Sequence, residues 1–169
     1  MFNIDDYLEK PYWVIDILPK QVPEKRREAE KQIIDKARQG VREEGQANGK
    51  GQYFKVEEYF LEHPRIDAIY GKFTTILLKL NCYEDFDVSE DGEEWSRNPS
   101  PKVIESMVSK CMSERSMLYI ILKSEDALIV ASGDDTFMTV YHPSEEMLEL
   151  LTSLVVSEGL YIWQPSHRG

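Results

Sequence analysis

Cysteine is scarce: Cys82 and Cys111 are the only two in 169 residues, and neither sits in a C-x-x-C pair or near a histidine. Zinc and dithiol redox motifs are therefore absent, and both thiols are expected to be ordinary buried side chains. The three histidines, His63, His142 and His167, have no metal-ligand spacing among them. No serine or cysteine lies in a G-x-S-x-G elbow, and neither a P-loop nor a dinucleotide glycine fingerprint occurs. Apolar runs are too short to span a bilayer, and the first ten residues carry acids where a signal peptide needs positive charge. A cytoplasmic protein is expected. Positive charge is also in deficit, with 20 basic against 31 acidic residues and a net charge of −11. Such a chain repels phosphate backbones and anionic lipid headgroups, which disfavours nucleic-acid and membrane-surface binding and favours a basic protein partner.

What the chain does hold is a dense β-forming stretch, Met117 to His142, where β-branched and aromatic residues run between turn residues. It predicts a three-strand meander on which the rest packs. Tyr12 to Leu18 predicts another strand, closed by Pro19, with Asp16 expected on its solvent face. Ile66, Ile69, Phe73, Ile76, Leu77 and Leu80 recur at helical spacing, preceded by a short helix marked by Val56, Tyr59 and Phe60 that ends near His63-Pro64. Tyr83 to Val88 alternates as a strand does. Ser100-Pro101 caps a helix carrying Val103, Ile104, Met107, Val108, Cys111 and Met112. Ser144 caps another, through Met147, Leu148, Leu151, Leu154 and Val155, which Gly159 ends before a short strand over Leu160 to Trp163. At 41% hydrophobic, this length suits one core. The expected fold is a single α+β domain whose mostly antiparallel sheet, centred on the meander 117–142, is covered by helices.

Pro23 to Glu44 differs in kind, with a narrow apolar stripe of Ala29, Ile33, Ala37 and Val41 on a heavily charged helix. Its seven basic and six acidic residues nearly cancel, so the negative charge belongs to the remainder. Gly45 to Gly51 reads as a flexible linker, and residues 23–51 are expected to be a protruding, solvated arm. A partner-binding or dimerisation arm is the other reading, which leaves the oligomeric state open, with a homodimer one outcome.

Three segments carry candidate chemistry. Gly133-Asp134-Asp135 lies between apolar strands and resembles the Gly-Asp-Asp hairpin of polymerase palm domains, whose carboxylates hold magnesium. Glycine and aspartate are also what a tight hairpin turn uses, and that is the reading adopted. Asp87-Val-Ser89-Glu-Asp91-Gly92 matches the opening of a calcium loop, but Asn98 stands where a bidentate glutamate is needed, and Pro99 and Pro101 break the exiting helix. No metal or other cofactor is therefore expected. The longer stretch Tyr83 to Trp95 is crowded with Glu84, Asp85, Asp87, Glu90, Asp91, Glu93 and Glu94, interleaved with Tyr83, Phe86 and Trp95. Acids supply electrostatic attraction and aromatics supply hot spots, so Glu84, Asp85, Asp87, Asp91, Glu93, Glu94 and Trp95 form the candidate partner-binding set.

In size, acidity and strand–helix alternation the chain resembles the bacterial immunity proteins that neutralise nucleases and other toxins. Tyr12 to Pro23 and Gly51 to Phe60 are also similar to segments of small uncharacterised bacterial proteins. The immunity resemblance implies a stoichiometric, non-enzymatic inhibitor whose acids occupy a basic active site as substrate phosphates would. The alternative is a metal-dependent hydrolase or transferase using Asp134, Asp135 and Asp87.

Overall fold

The computed structural model describes residues 3–19, 52–62, 69–124 and 126–165. The expectation for 23–51 lies outside the described residues. In chain order the elements are α1 (Asp5–Leu8), β1 (Tyr12–Asp16), α2 (Tyr53–Glu62), α3 (Ile69–Asn81), β2 (Phe86–Ser89), β3 (Ser96–Arg97), α4 (Pro101–Ser113), β4 (Met117–Leu122), β5 (Ala127–Ser132), β6 (Phe137–Tyr141), α5 (Glu145–Ser157) and β7 (Tyr161–Trp163). The strands form one seven-stranded sheet in the order β3-β2-β4-β5-β6-β1-β7, with every pairing antiparallel. The fold is α+β, and the meander β4-β5-β6 stands at its middle.

Side chains alternate across a strand, so the register assigns each residue a face. Leu118, Ile120, Leu122, Ile129, Ala131, Met138, Val140 and Ile15 lie on the first face, all fully buried. Three helices cover them. Phe73, Ile76, Leu77 and Leu80 of α3, Ile104 and Val108 of α4, and Leu151 and Val155 of α5 complete one continuous core, with α3 packed against both α4 and α5.

The helix starts follow their capping residues. The Ser100 hydroxyl accepts from Val103 N at 3.4 Å, with Pro101 in the first turn, and the Ser144 hydroxyl accepts from Met147 N at 3.1 Å. At the other end of α5, Lys72 of α3 donates to the Glu158 carbonyl at 2.6 Å, and Lys79 meets the Glu158 carboxylate at 3.0 Å. Cations there complement the helix dipole and satisfy a terminal carbonyl, and Gly159 at φ +75° lets the chain turn back.

Three expectations need correction. Asp16 is not on a solvent face: it is 6% exposed, because its carboxylate caps the end of β1. Cys82 is exposed, unlike Cys111, because it lies past the end of α3. Finally, β2 starts at Phe86 and not Tyr83, because Tyr83 N and Glu84 N both donate to the Leu80 carbonyl and are spent closing α3.

Candidate functional site

Of the predicted site residues, the second face of the sheet carries Asp87 and has Trp95 packed against it, beside several residues that the sequence does not single out. The register lays them out in three rows across the strands. The first runs Arg97, Asp87, Ile121, Leu128, Tyr141, Tyr12; the second Ser89, Tyr119, Val130, Thr139, Val14, Trp163; the third Met117, Ser132, Phe137, Asp16, Tyr161.

The middle of the first row is roofed by α1. Tyr7 joins Ile121 and Leu128 in a small second core, against which Ile4, Trp95, Tyr119, Val130 and Tyr141 pack. The Tyr7 hydroxyl donates to Asp126 Oδ1 at 2.6 Å, tying this single-turn helix to the bend between β4 and β5. Burial, then the hydrogen bond and charge of Asp126, push the Tyr7 phenol well above its usual range, so it stays a neutral donor. Tyr12 and Tyr141, opposite each other in the register, hold their rings 5.4 Å apart.

The acids of the predicted set do not form one cluster. Glu84 and Asp85 precede β2, where the Ser124 hydroxyl donates to the Glu84 carboxylate. Asp87 is 3% exposed, accepts from Asn98 N at 3.3 Å and has Lys123 Nζ 3.8 Å away, so its charge is already answered within the chain. Asp91, Glu93 and Glu94 lie in the loop beyond the other end of the strand, on the order of 15 Å from Glu84 at strand rise.

That loop is held by its own side chains. Ser89 Oγ accepts from Gly92 N at 2.8 Å and donates to Asp91 Oδ1 at 3.0 Å. The same Asp91 oxygen accepts from Glu93 N at 2.8 Å and Glu94 N at 2.9 Å, which holds its carboxyl below the usual carboxylate range. Asp91 and Ser89, two of the oxygens that open a calcium loop, are thus committed to the turn itself. Gly92, at φ +81°, lies against Ile4 and Tyr119, so the loop folds over the second face. Glu93 and Glu94 stay exposed, while Trp95 is half-buried under α1. Glu90 is anchored from outside by Lys110 of α4 at 3.2 Å.

At the far end of the face, Gly133, Asp134 and Asp135 form the turn between β5 and β6. The glycine is required for proximity and not for a positive φ: a Cβ there would stand 2.3 Å from the Cys111 carbonyl oxygen and 2.7 Å from Arg115 Cα. Burial and then the neighbouring Asp134 raise the Asp135 carboxyl above its usual range, with Ser132 acting the other way. Asp87 sits opposite Ile121, whereas this turn follows Ser132 opposite Met117, on the order of 13 Å away along the strands. The three aspartates of the metal-dependent alternative are not brought together. Among the described residues, no group of three His, Cys, Asp or Glu side chains is placed to hold a metal ion.

Cys111 offers no nucleophile. Its Sγ donates to the Ser116 carbonyl at 3.1 Å, and burial pushes the thiol up to about 11.

Fold and site together define an α+β domain with one sheet face sealed by three helices and the other half-open, aromatic and bordered by carboxylates. Comparison with protein-family models, curated proteins and solved structures finds no match. Among the described residues, no helix is long and apolar enough to cross a membrane.

Proposed function

We propose that this chain is a non-enzymatic, acidic protein-binding domain that docks a basic partner, in the manner of a cytoplasmic, immunity-type inhibitor of a toxin or nuclease. One observation carries the reading: the β2–β3 loop is pre-formed by Ser89 and Asp91, so that Glu93 and Glu94 are presented without a cost in ordering the loop. Pre-organised carboxylates on a chain of net charge −11 steer a basic surface toward them and lose little entropy on contact. Their spacing along a rigid loop imitates the charge of a polyanion, which is what a nuclease active site accepts. Glu84 and Asp85, at the other end of β2, extend the field without sharing the contact. Asp87 contributes by holding Lys123 and the chain after β3, not by touching a partner.

The test is charge reversal of the two presented acids, Glu93→Lys with Glu94→Lys. Association with the basic partner should slow by about tenfold at low ionic strength, and the difference should shrink as salt rises. An association rate indifferent both to this reversal and to salt would rule the reading out.

A further inference from the structure

We propose that the half-open centre of the second sheet face is the apolar heart of the partner interface, and that it takes an amphipathic basic segment, apolar on the side it lays down and lysine- or arginine-bearing at its margins. The proposal rests on the protein-binding reading above and adds a second surface that the acidic loop alone does not contain.

The centre is made by Tyr119, Val130, Thr139, Met117, Ser132 and Phe137, from the three meander strands. Met117 is 38% exposed and the other five are half-buried, whereas their neighbours on the opposite face are fully covered. Adjacent strands stand about 4.8 Å apart, so three of them make a floor about 10 Å wide, the width of one helix or one extended segment with its side chains. Aromatic and aliphatic groups held flat on a sheet lose little rotamer freedom when covered, which is the property of an interface centre.

The border says what chemistry covers it. On one side the β2–β3 loop brings Asp91, Glu93 and Glu94, with Gly92 against Tyr119. Along the roofed row, α1 exposes Asp5 and Asp6, and Glu9 is exposed just past its end. At the third side the turn after Ser132 carries Asp134 and Asp135. Among the described residues, cations near this border are fewer: Lys10 follows α1, Arg97 lies at the β3 edge and Arg115 adjoins Gly133, while Lys123 is held by Asp87. A second copy of this chain would bring the same carboxylates against these, and a nucleic acid or an anionic membrane would bring its own negative charge. A basic protein segment with an apolar side is the occupant that satisfies both floor and rim.

The test is an amide-resolved NMR titration of the full chain with two short synthetic peptides of equal positive charge, one of lysine and leucine, the other of lysine and serine. The leucine peptide should bind on the order of tenfold more tightly, since apolar side chains are buried only in its case. It should shift the amides of Tyr119, Val130 and Thr139, and Thr139→Lys should abolish that advantage. Met117→Lys, at an exposed position, should reduce it without disturbing the fold and serves if Thr139→Lys fails to fold. Equal binding of both peptides, with shifts confined to Glu93 and Glu94, would overturn this inference and leave the acidic docking reading standing. No binding of either peptide at low salt would overturn both. Self-association of the free chain through Val130 and Thr139, seen by sedimentation, would assign the face to a second copy and overturn the inference.

Discussion

Asp16 is held between opposing influences. Burial pushes its carboxyl up to about 6, and Glu57 of α2 adds to the rise, while hydrogen bonds from Leu18 N and Thr136 Oγ1, each 2.9 Å to Oδ1, pull the other way. The folded chain thus holds this proton more tightly than the unfolded chain, where an aspartate titrates near about 4. The stability that Asp16 contributes is complete below about pH 4 and is lost as pH rises through about 6. Asp16→Asn keeps an oxygen for both donors and cannot ionise. Urea unfolding should therefore show the variant gaining on the wild type by ~3 kcal/mol between pH 4 and pH 7; stability curves that stay parallel would contradict the assignment. Two glycines allow a second contrast. A methyl at Gly133 meets the backbone of Cys111 and Arg115, which cannot swing aside, whereas at Gly92 it meets the end of the Ile4 side chain. Gly133→Ala should cost ~3 kcal/mol through overpacking. Gly92→Ala should cost ~1 kcal/mol, set by its positive φ.

At the scale of elements, capping carries a measurable share of the helix layer. Replacing Ser144 by alanine leaves Met147 N without its 3.1 Å acceptor and should lower unfolding free energy by ~1 kcal/mol, read as a shifted urea midpoint at constant slope. Both capped helices, α4 and α5, were legible from their serine starts and apolar spacing, as were the meander and β1, because strong local signals there agree with the tertiary packing. What was not legible depends on contacts distant in sequence. The single turn α1 has too few residues to reveal a period, and it is fixed by Tyr7 reaching Asp126, 119 positions away. The two-residue β3 exists because Asp87 and Val88 pair with Arg97 and Ser96. Asp16 reads as solvent-facing because an acid in a strand usually is, and only Thr136, 120 positions on, reveals the polar niche that receives it.

For the whole molecule, the decisive feature is that the sheet has two unequal faces. Strands such as Met117 to Leu122 are apolar at successive positions, the pattern of a strand covered on both sides. Yet among the described residues one face is covered by α3, α4 and α5, and the other is met by α1 and the β2–β3 loop at one end and by α2, which brings Glu57 toward Asp16, at the other. The crowding of acids between Tyr83 and Trp95 was visible in the sequence. Its division into a buried Asp87, a loop-building Asp91 and a presented Glu93 and Glu94 was not, since alternation along β2 and the hydrogen bonds of the turn decide it. The aromatic floor that the acids border is assembled from three strands, and no local motif announces it. The most direct test is capture from the native cell on immobilised full-length chain, beside the Glu93→Lys, Glu94→Lys variant, at low and high salt. A basic protein retained by the wild type, released by salt and lost by the variant is the result this account predicts. The same proteins retained by both chains at both salt concentrations would contradict it.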